Sequence, residues 1–220
     1  GFELDKYFKT DDLKKCSRFW IILFKTILSK LYHWKIYVVG SVEYQYPNHL
    51  FQAGYFLDKK YYDENTIDFK HLLLSEKNQS LLKDIQNSNS VGVHIRRGDY
   101  MTKQNLVIFG NICTQKYYHD AIRIITEKVN DAVFYVFSDD ISWVQTHLDI
   151  PNAVYVNWNT GESSIYDMYL MSSCKYNIIA NSTFSYWAAR LNKKTNMVIY
   201  PSKWYNTFTP DIFPESWCGI

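Results

Sequence analysis

Five short apolar runs, each set off from the next by a stretch with helical spacing, occupy the second half of this chain. Residues 91–96, 132–137, 153–156, 177–180 and 197–200 have the length and composition of buried strands. Helices are expected over 115–129, with Thr114 as N-cap, and over 141–148, 164–173 and 183–191. Strands joined by helical crossovers lie parallel, so the alternation predicts an α/β domain on a parallel sheet of Rossmann type. In the first run Val91, Val93 and Ile95 share one face and Gly92, His94 and Arg96 the other, because successive side chains point to opposite faces. That strand ends in Arg97, a turn at Gly98, and Asp99. Two guanidinium groups at the carboxyl end of a strand form a receptor for a bidentate anion, phosphate above all. The carboxyl edge is also where open α/β sheets bind ligands. Ordinary surface salt bridges are the plain alternative, but a core strand ends in two charges at a cost unless they meet partners.

Two more clusters fall on the same edge. Ser138, Asp139 and Asp140 close the second strand. Adjacent aspartates point in different directions and make a poor metal clamp. Hydrogen bonding to an amide or guanine edge and capping of helix 141–148 stand level as readings of the pair. Asn181, Ser182, Thr183, Phe184 and Ser185 carry a strand through a polar turn into a helix, whose first N–H groups and dipole suit an anion. A helix capped by Ser182 or Thr183 is the alternative. Asp167 shares a helical face with Met171, and the apolar residues around it read as core. Arginines, carboxylates and a hydroxyl-lined helix start on one edge fit a nucleoside diphosphate with its base.

The first 75 residues mix a helix (13–32), a strand (35–40) and a Tyr- and Phe-rich stretch (44–62). Helical spacing over 75–85 then gives way to a polar run at 86–90, where a domain boundary is expected. Net charge is +2 and spread along the 220 residues, without the basic block that nucleic-acid binding needs. Cys16, Cys113, Cys174 and Cys218 are widely spaced and form no metal motif, so they read as thiols of a reducing compartment. The apolar run at 19–28 is broken by Lys25 and is too short to span a bilayer. It reads as a buried or amphipathic helix, with peripheral attachment to the inner membrane as the minority alternative to a freely cytoplasmic protein. Asn78-Gln79-Ser80 and Asn181-Ser182-Thr183 match the glycosylation sequon, which has no meaning in the cytoplasm.

His94-Ile95-Arg96-Arg97-Gly98-Asp99, Phe137-Ser138-Asp139-Asp140, and Asp167-Met168-Tyr169-Leu170-Met171-Ser172 followed by Asn181-Ser182-Thr183-Phe184-Ser185-Tyr186-Trp187 resemble the successive motifs of bacterial α-1,2-fucosyltransferases, glycosyltransferase family 11. Segments 54–62 and 112–118 add to the resemblance. It implies a GT-B-like fold, with residues 1–87 as the remainder of an amino-terminal acceptor-side domain and 88–220 as a Rossmann-type domain binding GDP-β-L-fucose. It also implies inverting transfer of fucose to the 2-hydroxyl of a galactose-terminated acceptor, without a metal or other cofactor. Arg96 is the candidate for stabilising the departing phosphate, with His94 and Asp99 as further catalytic candidates and the general base left open. Arg96, Arg97, Ser138, Asp139, Asp140, Asp167, Asn181, Ser182, Thr183, Phe184 and Ser185 are the candidate donor contacts. Family members open with a strand and glycine-rich loop that this sequence is expected to lack, which makes a non-catalytic nucleotide-sugar-binding module the alternative.

Overall fold

The apolar runs line up as one parallel sheet in the computed structural model, which describes residues 4–9, 19, 22, 23, 37–40, 51–54 and 67–220. The chain divides into two compact units. One comprises Gly1–Lys9, Ile67–Thr209 and Phe213–Ile220, the other Thr10–Thr66 and Pro210–Ile212. The first opens with a single helical turn, α1 (Leu4–Tyr7). In the second, β1 (Tyr37–Gly40) pairs in parallel with β2 (Phe51–Gly54), Tyr37 opposite Phe51. Phe19, Ile22 and Leu23 are helical, as expected of 13–32. The rest of that helix, Cys16, and the stretch 44–62 apart from β2 lie outside the described residues.

From Ile67 onward the larger unit continues with α2 (Glu76–Asn87), whose first turn is capped by the Ser75 hydroxyl accepting from the Asn78 N–H. The sheet follows: β3 (Asn89–Ile95), β4 (Ala132–Ser138), β5 (Ala153–Val156), β6 (Tyr176–Ile178), β7 (Met197–Tyr200) and β8 (Cys218–Gly219). Spatial order is β5-β4-β3-β6-β7-β8, and every neighbouring pair is parallel. With β3 as the first strand the order reads 3-2-1-4-5-6, the doubly wound arrangement whose strand order reverses between its first and fourth members. Here that reversal separates β3 from β6.

Helices cover both faces, as a parallel sheet requires. Val91, Val93 and Ile95 of β3 pack with Tyr118, Ala121, Ile122 and Ile125 of α4 (Gln115–Thr126) on one side. Tyr135 and Phe137 of β4 face Leu81 and Ile85 of α2, together with Ile165, Met168 and Met171 of α6 (Ser164–Met171), on the other. Each such aliphatic side chain, fully buried, contributes about 1.5–3 kcal/mol. α1 and β2 were not expected, and neither were two further elements. In place of a loop, α3 (Lys103–Phe109) runs from an N-cap at Thr102, and none of its residues is buried, so no apolar stripe marks it in the sequence. β8 adds a sixth strand, and two residues are too few to show a period. Among the described residues, no helix is long and apolar enough to cross a membrane.

Gly92 marks a close approach between the two central strands of this packing. A Cβ there would stand 2.8 Å from Asn177 Oδ1, 3.0 Å from Met171 Cγ and 3.3 Å from Cys174 Sγ, and both Gly92 and Asn177 lie on hydrogen-bonded central strands. Gly92→Ala should therefore overpack the interior and lower stability by about 1–3 kcal/mol. Urea unfolding followed by tryptophan fluorescence reads this, and an unchanged midpoint would contradict it.

Candidate functional site

A cleft of about 780 Å³ lies over the carboxyl ends of β3, β4, β5 and β6 in the sheet-bearing unit. Each strand delivers one part of its wall: His94, Arg96 and Asp99 from β3, Ser138 and Asp139 from β4, Asn157, Asn159, Thr160 and Gly161 from the loop after β5, and Ser182 to Phe184 from β6. The site thus straddles the point of strand reversal, where loops on either side diverge and leave a crevice.

Arg96 is held from two directions. Its Nη2 donates to Asp99 Oδ1 at 2.6 Å, and its Nη1 forms an ion pair with Asp139 Oδ2 at 2.7 Å. Side-chain exposures of 34% for Arg96 and 57% for Asp99 mean that these pairs contribute little to stability. Their effect is orientation. A guanidinium has five N–H donors, and these two carboxylates leave others for a ligand. Asp139 does more than brace the side chain, since its Oδ1 accepts the Arg97 backbone N–H at 2.8 Å and so ties the end of β3 to the end of β4. Gly98 makes this approach possible: a Cβ there would lie 2.5 Å from Asp139 Oδ2. Space for a carboxylate, as well as the turn, explains the glycine.

Arg97 and Asp140 stand outside the cleft lining, together. Arg97 Nε donates to Asp140 Oδ2 at 3.1 Å, and its guanidinium lies over the Trp143 ring, 3.7 Å from the centroid. Asp140 Oδ1 caps α5 (Ile141–His147) by accepting the Trp143 N–H at 3.1 Å. The arginine pair therefore splits, one side chain toward the cleft and one packed on a helix.

At the end of β6 the residues divide in the same way. Ser182, Thr183 and Phe184 line the cleft at the start of α7 (Thr183–Arg190), whose first turn has no side-chain cap. Asn181 is 2% exposed and donates to the carbonyls of Phe109 and Trp204, while the Ser185 hydroxyl accepts the Ala180 N–H at 3.2 Å. Those two shape the turn. Tyr100 joins the two walls, its hydroxyl donating to the Asn181 carbonyl at 2.9 Å. Burial pushes that hydroxyl up to about 12, so it remains a donor across the physiological range.

Of the far wall only Asp167 was foreseen, although Asn157-Trp158-Asn159-Thr160-Gly161 follows an apolar strand and so had the positional signal of a site. There Asn159 Nδ2 donates to Asp167 Oδ1 at 2.7 Å. Burial raises the Asp167 carboxyl to about 7, with the Asn159 hydrogen bond opposing the shift. His94 moves the other way: it is 6% exposed, burial first and the Arg96 charge second lower it to about 3, and its Nδ1 has no hydrogen-bond partner among the described residues. It is a neutral imidazole at pH 7.

These two shifts have opposite consequences for stability. Between about pH 4 and 7 the folded Asp167 keeps a proton that the unfolded chain releases, so its contribution falls as pH rises. Between about pH 3 and 6.5 the unfolded chain protonates His94 and the folded chain does not, so that contribution rises with pH. From pH 4 to 6.5 the slopes cancel. Asp167→Asn should unmask a stability that rises by about 1.4 kcal/mol per pH unit relative to the parent, and His94→Phe one that falls by a similar amount. Urea titrations at pH 5 and 6.5 measure both, and parallel profiles for parent and variants would refute the assignment.

The model of the glycosyl transferase family 11, described as Glyco_transf_11, matches residues 11–220. An α-1,2-colitosyltransferase of Escherichia coli is 35% identical over 196 residues, covering 82% of this chain and 63% of its own. The O-antigen biosynthesis glycosyltransferase WbnK of Escherichia coli is 44% identical over 122 residues, 54% of this chain and 40% of its own. Galactoside α-(1,2)-fucosyltransferase 2 of Pongo pygmaeus is 28% identical over 163 residues, 68% of this chain and 48% of its own. The chain thus spans between 40% and 63% of the length of these curated relatives. Among solved structures the fucosyltransferase NodZ of Bradyrhizobium aligns with a TM-score of 0.44 at 15% identity, covering 84% of this chain and 62% of that one. The match extends over the cleft and nearly all of the sequence around it, and the chain belongs to glycosyl transferase family 11.

Proposed function

We propose that this cleft binds GDP-β-L-fucose and that the protein transfers L-fucose, with inversion, to the 2-hydroxyl of a terminal galactoside in a surface glycan or oligosaccharide. The observation that carries the reading is Arg96, fixed by two carboxylates at the strand reversal and facing the uncapped start of α7. In this reading the Arg96 donors left free by Asp99 and Asp139 meet the β-phosphate, and the first turn of α7 meets the diphosphate from the other side. The acceptor oxygen bonds to the anomeric carbon as the bond to the β-phosphate oxygen breaks, and that oxygen leaves with the electron pair. Arg96 stabilises the charge that accumulates there. Asp99 braces Arg96. His94, held near 3 by burial, takes up a proton too reluctantly for a general base and acts as a neutral hydrogen-bonding group.

The base-reading carboxylate is reassigned by the same geometry. Asp139 uses both oxygens on Arg96 and the Arg97 N–H, and Asp140 uses both on a helix cap and Arg97. Asp167 lines the cleft with one oxygen on Asn159 and its other oxygen available to the N–H edge of guanine. In this reading Arg96 and the dipole of α7 supply the positive charge that the departing diphosphate needs. The similarity to a colitosyltransferase favours a second reading of the donor alone, in which the same site carries a colitosyl residue.

Incubation with GDP-fucose or GDP-colitose and a galactose-terminated acceptor, with the product linkage read by NMR, tests this. An α-1,2-linked product is expected. Arg96→Ala should lower kcat by about a hundredfold, equivalent to about 3 kcal/mol in the barrier, with little change in acceptor KM. GDP binding without any turnover would favour a binding module, and full activity of Arg96→Ala would remove the role given to that side chain.

A further inference from the structure

We infer that Asn78, Trp158 and Asn159 form a polarised hydrogen-bond relay that positions the Asp167 carboxylate, so that this wall of the cleft selects a purine edge carrying two adjacent N–H donors. The inference rests on the nucleotide reading of the cleft given above and deepens it.

Asn78 lies on α2, about 80 residues before its partners, and is 1% exposed. Its Oδ1 accepts the Trp158 indole N–H at 2.7 Å and the Asn159 Nδ2 at 3.1 Å, while its own Nδ2 donates to Asn159 Oδ1 at 2.9 Å. Amide groups alone could reverse such a pattern end for end. The indole cannot, because Nε1–H only donates. Its direction makes the near atom of Asn78 the oxygen, which turns the Asn78 nitrogen to the Asn159 carbonyl. That in turn presents the Asn159 nitrogen to Asp167 Oδ1, 2.7 Å away. Three side chains thereby settle which atom of Asn159 faces Asp167, and that atom is a donor.

The consequence is a carboxyl group with a fixed plane and one engaged oxygen at the cleft surface. A carboxylate so held accepts two parallel N–H bonds from a guanine edge and opposes the bare ring nitrogen that adenine would present. The relay also accounts for the first sequon. Asn78 is buried with its amide committed to this network, leaving no room for a glycan.

The test is calorimetric binding of GDP, IDP and ADP to the full chain and to Asn78→Ala, with melting temperatures measured alongside. IDP lacks the 2-amino donor, so the parent should favour GDP over IDP by about tenfold or more and bind ADP more weakly still. In Asn78→Ala the ratio of GDP to IDP affinity should fall to within about threefold of unity, because Asn159 loses the contacts that orient it. A merely structural defect would lower both affinities in proportion and leave that ratio unchanged. Trp158→Phe removes the directing donor along with part of the ring that Lys77 lies over, and it reads the same ratio should Asn78→Ala not fold. A parent that prefers GDP, with the preference intact in the variants, overturns the relay and leaves the nucleotide reading standing. Equal affinity of the parent for GDP and IDP overturns the relay too. A parent that binds none of the three nucleotides overturns the reading of the cleft itself.

Discussion

The Asp139 carboxylate is the contact on which the rest of this cleft depends. One oxygen takes a backbone N–H at the end of β3 and the other takes the Arg96 guanidinium, so a side chain of β4 fixes both the path of its neighbour and the functional group that neighbour carries. A charged pair at this exposure adds little to folding free energy. What it supplies is preorganisation. An arginine already oriented loses less entropy when a ligand arrives, and a dipole or charge fixed in place need not reorganise as charge develops. Gly98 belongs to the same device, because any side chain there would collide with the carboxylate.

The fold was legible because burial dictates pattern. Val91, Val93 and Ile95 alternate onto the α4 face as period two requires, and Thr114 caps α4 as its residue type suggests. α3 and β8 were not, since one buries nothing and the other is two residues long. For the site, the strand ends could be read, and the period of two set Arg96 on the face of His94. Of the two adjacent arginines, nothing local showed what Arg97 packs against. In three dimensions the odd-even alternation of β3 carries one toward the cleft, while Trp143 and Asp140 hold the other against α5. Asp139 and Asp140 part for the same reason. Asn78 was out of reach altogether, because a contact across 81 residues has no local period.

Burial acts on His94 and Asp167 with opposite sign because it penalises charge of either kind. It keeps the imidazole neutral and favours the neutral form of the carboxyl, so both groups carry less charge at neutral pH than an exposed histidine and aspartate would. Two isolated charges at these depths would each cost several kcal/mol, and a neutral His94 beside Arg96 avoids a like-charge contact as well. The wall that carries Asp167 is accordingly polar without being strongly charged, whereas the β3 side carries the Arg96 guanidinium.

That asymmetry divides the work of the cleft by physical mechanism. The side built on β3 and β4 holds a guanidinium and two carboxylates, partly exposed, whose long-range field is screened by salt. The side built on the β5 loop and α2 holds amides, an indole and a carboxyl in short hydrogen bonds that ionic strength barely touches. Attraction of a diphosphate through the first side should weaken as salt rises, whereas discrimination between bases through the second depends on donor and acceptor positions and should persist. A cleft arranged in this way separates how tightly it holds an anion from which base it accepts. Substitutions on the two walls can then change affinity and selectivity independently, because the groups share no hydrogen-bond partner and additivity holds for sites that do not touch.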